Sequence, residues 1–290
     1  MTDPSTSPGT TPAPVTVVVM TRNRWPDLQQ SLPHHEGPVV LVDNGSTDGT
    51  PAHVRRCFPH VEVVELGRNL GSVARNVGVE RARTPYVAFA DDDSWWAPGA
   101  LRRAAEVLDA HARLAVLVGR MLVGEAATED PLCALLAGSP LPRAADLPGP
   151  SVLGFMACGV VVRREAFLAA GGFDEVVFFM GEEERLALDL TALGWGIAYV
   201  EDVVAHHHPS TVRDPTARAV RAARNRLLTA VMRRPWPVVA TEVRRALRGG
   251  TVGRAAVSRA LVRLPAAVRH RRPLPADVEA ARRLLDETAG

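Results

Sequence analysis

The 290-residue sequence contains no lysine, and all 34 basic residues are arginine. With Ala, Val and Pro also abundant, this is the compositional bias of a GC-rich genome and carries no chemical signal. Cysteine is scarce as well. Cys57, Cys133 and Cys158 are odd in number and widely spaced, which argues against a disulfide framework and a structural zinc. No run approaches the roughly 18 apolar residues that a membrane-spanning helix needs. The opening MTDPSTSPGTTPAP lacks a basic stretch followed by an apolar one, so no secretory signal is expected. Residues 1–14 read as a disordered leader, and a reducing, cytoplasmic setting is expected.

What is present is a divided charge. The formal net charge is only +2, yet residues 1–210 carry 16 Arg against 26 acids and residues 211–290 carry 18 Arg against 6. An acidic body is followed by a basic tail. The division gives a catalytic or binding domain over 15–210 and a helical extension over 211–290.

Within the body, VTVVVM (15–20), VVLV (39–42), VEVVEL (61–66) and YVAFA (86–90) are short β-branched or aromatic runs of strand length. Helical candidates at 25–32, 50–58, 71–83 and 98–111 alternate with them. This predicts βαβ units and a mainly parallel sheet flanked by helices, an α/β fold. Strands are also expected over 112–123, 152–162 and 196–205, a Pro/Gly-rich loop over 124–150, and a helix over 181–194. Beyond 211, three or four Arg-rich amphipathic helices are predicted, punctuated by Pro235, Pro237, Gly249-Gly250, Pro265 and Pro273.

In a parallel sheet, ligands bind beyond the carboxyl ends of the strands, so the residues after each apolar run are the informative ones. Thr21-Arg22-Asn23-Arg24 follows the first run, Asp43-Asn44-Gly45 the second, Gly67-Arg68-Asn69 the third and Asp91-Asp92-Asp93 the fourth. Asp91 and Asp93, two apart in an extended segment, project to one side and suit Mg²⁺ or Mn²⁺ that would neutralise a diphosphate. The alternative is that the DDDS run caps the next helix through Asp93 or Ser94. Asp43 suits a nucleobase N–H or a ribose hydroxyl, and Arg68 and Arg75 suit phosphates or the base. Glu182-Glu183-Glu184 opens a helix, where the dipole alone explains acids; raised in pKa, one of them would serve as a general base. His206-His207-His208 ends a strand and offers an imidazole to the same metal. Trp95, Trp96 and Trp195 are candidate sugar-stacking surfaces.

In this order, VTVVVMTRNR, VVLVDNGSTDGT, RNLGSVARNVGVERARTPYVAFADDDSWWAP, GGFDE, GEEERLALDL and AYVEDVVAHHH resemble the family 2 glycosyltransferases over residues 15–210. The resemblance implies the glycosyltransferase-A fold and inverting transfer of a hexose or deoxyhexose from a nucleoside-diphosphate sugar to an acceptor hydroxyl. It implies nucleotide contacts from Thr21, Arg24, Asp43, Arg68, Asn69 and Asp91, and a metal held by Asp91, Asp93 and His206. It aligns Glu183 with the catalytic base and puts Arg185 where many members carry a second acid; Glu182, Trp95 and Trp96 are candidate acceptor-side residues. The acceptor class stays open among lipid-linked, cell-envelope glycan and small-molecule hydroxyls.

Two rival readings remain at this stage. A nucleotidyltransferase would share the sheet and acidic metal site but would show a Gly-rich signature after the first strand, which TRNR lacks. A binding module would use the basic tail, on nucleic acid or at the inner face of the cell membrane. No nucleic-acid motif accompanies that tail, so a peripheral membrane contact is the expected form of this second reading.

Overall fold

The computed structural model describes residues 14–209 and 214–288. The expected leader, apart from Pro14, lies outside them. In chain order the first half runs β1 (Val15–Thr21), α1 (Trp25–Ser31), β2 (Val39–Asp43), α2 (Thr50–Cys57), β3 (Glu62–Glu65), α3 (Ala74–Arg81) and β4 (Tyr86–Asp91). There follow β5 (Ser94–Trp96), α4 (Ala100–Ala110), β6 (Leu114–Val123), β7 (Thr128–Glu129), α5 (Pro131–Ala137), β8 (Val160–Arg163), α6 (Arg164–Ala169), α7 (Glu182–Ala192) and β9 (Gly196–His207). The C-terminal part is α8 (Pro215–Arg233), α9 (Trp236–Arg248), α10 (Gly250–Arg269) and α11 (Ala276–Thr288).

One mixed sheet runs in the order β3-β2-β1-β4-β8-β6-β9-β5, with β7 paired to β6. Its first four strands are parallel, and in β1, β2 and β4 consecutive residues, such as Val17, Val18 and Val19, are buried, so both faces are covered there, whereas β3 at the sheet edge is half-exposed. The remaining half mixes orientations: β8 is antiparallel to both neighbours, β6 and β9 are parallel, and β5 returns antiparallel to β9. Register sets the rim: Thr21 lies beside Asp43, and Met20 beside Asp91. Gly78 lets α3 lie close to the sheet, since a Cβ there would stand 2.3 Å from Val18 Cγ1.

Three local readings are corrected. The DDDS run caps no helix, because Ser94–Trp96 forms β5 and α4 begins six residues later, after Gly99. The apolar stretch from 152 becomes strand only at Val160, with a 3-10 turn at Ala157–Gly159 before it. The 124–150 segment contains α5, whose start carries the Asp130 side chain accepting from Leu132 N, and Pro131 at the first helical position.

The C-terminal helices close over the body rather than trailing from it. A second apolar cluster joins Val176 and Val177 to Leu228, Val231, Met232, Val239 and Ala267. Arg233 Nε reaches Asp189 Oδ1 at 2.5 Å, and Arg282 Nη2 reaches Glu184 Oε1 at 2.8 Å, so α8 and α11 both grip α7.

Candidate active site

At the carboxyl ends of β1 and β4 a cleft of about 680 Å³ opens. Thr21, Arg24, Asn69, Asp91, Asp93, Glu182 and Glu183 line it, as do Arg75, Cys158 and the Phe178–Met180 segment. The fourth wall comes from α8 through Ala217, Arg218, Arg221 and Ala222. Residues beyond 210 are therefore part of the site.

Arg75 is the hub beneath it. Only 2% exposed, its Nη2 donates to Asp91 Oδ1 at 2.5 Å, and its Nη1 lies 3.8 Å from Glu182 Oε1. Burial opposes its charge, and Asp91, Glu182 and Glu183 more than restore it. One cation thus holds the rim of β4 to the start of α7. Glu182 is sealed at 1% exposure, and burial, followed by the charge of Glu183, pushes its carboxyl well above the usual carboxylate range. Burial likewise raises Glu183, which remains half-buried at the cleft wall. Glu184 is turned away into its pair with Arg282 and does not line the cleft.

Backbone strain marks the approach to α7. Phe178 and Met180 have φ of 70° and 72°, and Gly181 has 91°. This conformation is held in place by Phe178 O, which accepts from Ser72 N at 2.6 Å and from Ser72 Oγ at 2.9 Å. Gly71 makes this approach possible: a Cβ there would lie 2.2 Å from Phe178 O. Asn225 Nδ2 on α8 holds the same segment through Phe179 O at 2.7 Å.

Asp92 and Asp93 behave differently. Asp92 accepts from Thr21 Oγ1 at 3.2 Å, and burial between two other aspartates raises its pKa well above normal. Asp93 Oδ1 lies 3.4 Å from His207 Nε2, with His208 N donating to Asp93 O at 2.7 Å. His207, not His206, lines the cleft. In the β5–β9 register Ser94 is opposite His207 and Trp95 opposite His206. His206 therefore stacks on Trp95, centroids 5.8 Å apart, and the imidazole that faces the cleft is His207 in place of the expected His206.

The expected acceptor aromatics are also corrected. Trp96 is core, 2% exposed, with Nε1 donating to Phe89 O at 3.2 Å. Trp95 is stacked by His34 and His208, each at 4.6 Å, and does not line the cleft. Trp195 packs against the main core. Arg68 is exposed and outside the cleft lining; its backbone instead packs 2.8 Å from where a Gly45 Cβ would stand. Asp43 sits one residue before the lining Asn44; its Oδ2 accepts from Ser46 N at 3.0 Å while Oδ1 is buried without a partner. Arg185 faces Asp174 and Asp189 rather than the cleft, so the acid missing there leaves a structural anchor.

Among the described residues no three His, Cys, Asp or Glu side chains are grouped to hold a metal alone. Asp93 and His207, with Asp91 near Arg75, instead make a partial set. Mg²⁺ and Mn²⁺ sites of this kind are completed by substrate phosphates and water, so the donor chemistry fits. The sequence had not singled out Phe178–Met180, Arg218 or Arg221. No motif marks them: Arg218 and Arg221 reach the site through α8, and Phe178–Met180 through the strained lead-in to α7.

The model of the family named Glycosyl transferase family 2 matches residues 16–169. The chain is 30% identical over 253 residues to an N-acetylglucosaminyl-diphospho-decaprenol L-rhamnosyltransferase of Mycobacterium tuberculosis (strain ATCC 25618 / H37Rv), covering 69% of this chain and 78% of that one. It is 40% identical over 85 residues to a putative teichuronic acid biosynthesis glycosyltransferase, TuaG, of Bacillus subtilis (strain 168), covering 28% of this chain and 33% of that one. Among solved structures, the mannosyltransferase PcManGT of Pyrobaculum calidifontis, in complex with GDP-Man and Mn²⁺, superposes with a TM-score of 0.59 at 23% identity. That match covers 98% of this chain and 83% of the other. These structural likenesses establish a shared fold.

Proposed function

The chain belongs to glycosyl transferase family 2, and from that premise we propose that it transfers a sugar, with inversion, from a nucleoside diphosphate to an acceptor hydroxyl. The observation that carries this is the convergence of Asp91, Asp93, His207 and Glu182–Glu183 on one cleft, over the buried Arg75.

Glu183 is the proposed base. Glu182 is sealed beside Arg75 and Glu184 is engaged by Arg282, which leaves Glu183 as the carboxylate of the three that is both unsealed and in the cleft. Burial raises its proton affinity, which suits acceptance of a proton near neutral pH. It takes the acceptor hydroxyl proton as that oxygen bonds to the anomeric carbon from the face opposite the nucleotide. The bond from the anomeric carbon to the diphosphate oxygen breaks, and the nucleoside diphosphate leaves with its electron pair. Asp43 Oδ1, an unpartnered buried acceptor, supports recognition of a base or ribose donor group, with Thr21, Arg24 and Asn69 along the nucleotide. Asp93 and His207, with Asp91, would hold Mg²⁺ or Mn²⁺, which when bound supplies countercharge to the leaving diphosphate.

A lipid-linked acceptor fits the mycobacterial relative's name. Among the described residues no helix is long and apolar enough to cross a membrane. A surface contact through α9 and α10 is proposed instead. Family membership favours this reading over nucleotidyl transfer, and release of a nucleoside diphosphate rather than pyrophosphate would separate the two.

The test is a panel of UDP-, GDP- and dTDP-sugars with Mn²⁺ or Mg²⁺, read by thermal shift and by turnover. Glu183→Gln is expected to keep the donor-induced shift and to lose about 10²–10⁴-fold in turnover. Asp93→Ala is expected to lose both. Near-normal turnover in Glu183→Gln would overturn the assigned base.

A further inference from the structure

On the α8 side of the cleft stands a group of arginines that the mechanism above does not use. Arg218 and Arg221 line the cleft, and Arg224 follows on the next turn of α8. α10, packed along α8, adds Arg259 and Arg263, four residues apart and so on one face. Their proximity shows in Arg224, whose guanidinium is brought down to about 10 by burial first and then by Arg263, Arg221 and Arg259.

Several of these side chains are held rather than free to fan into solvent. Arg224 Nη2 donates to Val177 O at 3.1 Å, and Arg263 Nη1 donates to Glu175 O at 2.9 Å and Val176 O at 3.0 Å. Arg221 lies over the Phe179 ring at 6.0 Å and Arg263 over Phe178 at 5.6 Å. Among the described residues no carboxylate forms an ion pair with any of the five. Other arginines of these helices do pair: Arg233 with Asp189, Arg234 with Glu279, Arg282 with Glu184. Like charges without a carboxylate partner, grouped around Arg224 and reaching the cleft wall through Arg218 and Arg221, suit an anion. Guanidiniums match phosphate oxygens in particular, in bidentate fashion.

The nucleoside rim comes from β1, β2 and β4, whereas these arginines stand past Glu182 and Glu183 on α8 and α10. We propose that Arg218, Arg221, Arg224, Arg259 and Arg263 bind a diphosphate carried by the acceptor, so that the acceptor is a sugar esterified to a diphosphate. This rests on the glycosyltransferase reading and adds the acceptor's chemical class to it. The donor's own diphosphate shares the chemistry, and the experiment separates the two sources.

The full-length protein is titrated with geranyl diphosphate, with and without saturating UDP and Mn²⁺, and separately with UDP and Mn²⁺ alone. Binding is followed by thermal shift and calorimetry. Wild type is expected to bind geranyl diphosphate in the presence of UDP, more weakly as salt rises. Arg221→Gln/Arg224→Gln is expected to weaken it at least tenfold while the Kd for UDP moves less than twofold. Should that double variant fail to fold, Arg218→Gln/Arg259→Gln decides the same comparison. Competition between geranyl diphosphate and UDP, or a loss of UDP affinity alone in the arginine variants, would reassign the cluster to the donor and overturn the proposal. Equal geranyl diphosphate affinity in variant and wild type would also overturn it. None of these readings requires turnover, so a failure of the transferase assignment would show separately, as no donor sugar being consumed.

Discussion

Arg75 is a buried cation against Asp91 and Glu182, and removing it takes the hydrogen-bond donor from Asp91 and the nearby positive charge from the buried Glu182. Arg75→Leu is expected to lower stability by about 3–5 kcal/mol, the usual cost of breaking a buried ion pair from one side. Urea denaturation measures it, and adding Glu182→Gln to Arg75→Leu should recover part of the loss. Glu182 also makes a pH prediction. Its folded-state pKa, about 8, lies above the ordinary 4.5 because burial disfavours its charge. Its contribution is therefore full below pH 4.5 and is lost as pH rises through about 8. Melting temperature should fall over that window, and Glu182→Gln should flatten the fall without abolishing it, because Asp92 and Glu183 are raised as well. At this scale the sequence was informative about residue type and less so about direction. The acids after β4 and at the start of α7 were legible from their positions. His207 was not, because counting alternation along β9 fails at the irregularity between Gly119 and Arg120, where the β9 partner jumps from Val200 to Val204.

At the level of elements, the parallel half was readable because β1, β2 and β4 are short apolar runs buried on both faces, and β3, half-exposed at the edge, still carries a Val-Val pair of strand character. β5 was hidden by its three-residue length and by the acids before it, which imitate a helix cap. The 152–162 run shows the opposite error, since apolar residues there are buried as loop and 3-10 turn before β8 begins. The α5 start was visible in Asp130-Pro131 but lay inside a stretch rich in proline and glycine. The junction of the turn at Gly71–Val73 with the Phe178 segment can be tested directly. Gly71→Ala puts a Cβ 2.2 Å from Phe178 O at a φ of 63°. It is expected to cost about 1–3 kcal/mol. It should also reduce turnover by displacing the lead-in to α7; a melting curve and a rate on the same preparation check both.

Across the whole molecule, the charge division seen in the sequence resolves into contacts: basic helices pair with acids of the body through Arg233–Asp189 and Arg282–Glu184. A chain ending at 209 is expected to lose both ion pairs, the Asn225 hold on Phe179 and the α8 wall, and so to melt lower and show no donor-induced shift. Some of the basic surface remains outward. On α9, Trp236, Ala240 and Leu247 share an exposed side with Arg244 and Arg248; on α10, Leu261 and Val262 stand beside Arg254 and Arg269. Flotation with vesicles containing anionic lipid should carry the protein, and Trp236→Ser/Leu261→Ser/Val262→Ser should leave it in the soluble fraction. Equal recovery of both would remove the membrane contact while leaving the cleft chemistry untouched.

The grip of α8 and α11 on α7 has a practical bearing on engineering. A chimera that takes its C-terminal helices from another transferase, in the hope of changing what is glycosylated, would also replace the clamps on Asp189 and Glu184. Acceptor preference and the placement of Glu183, the proposed base, would then shift together. A graft keeping Arg233 and Arg282 in place would be needed before a changed product could be credited to the new surface.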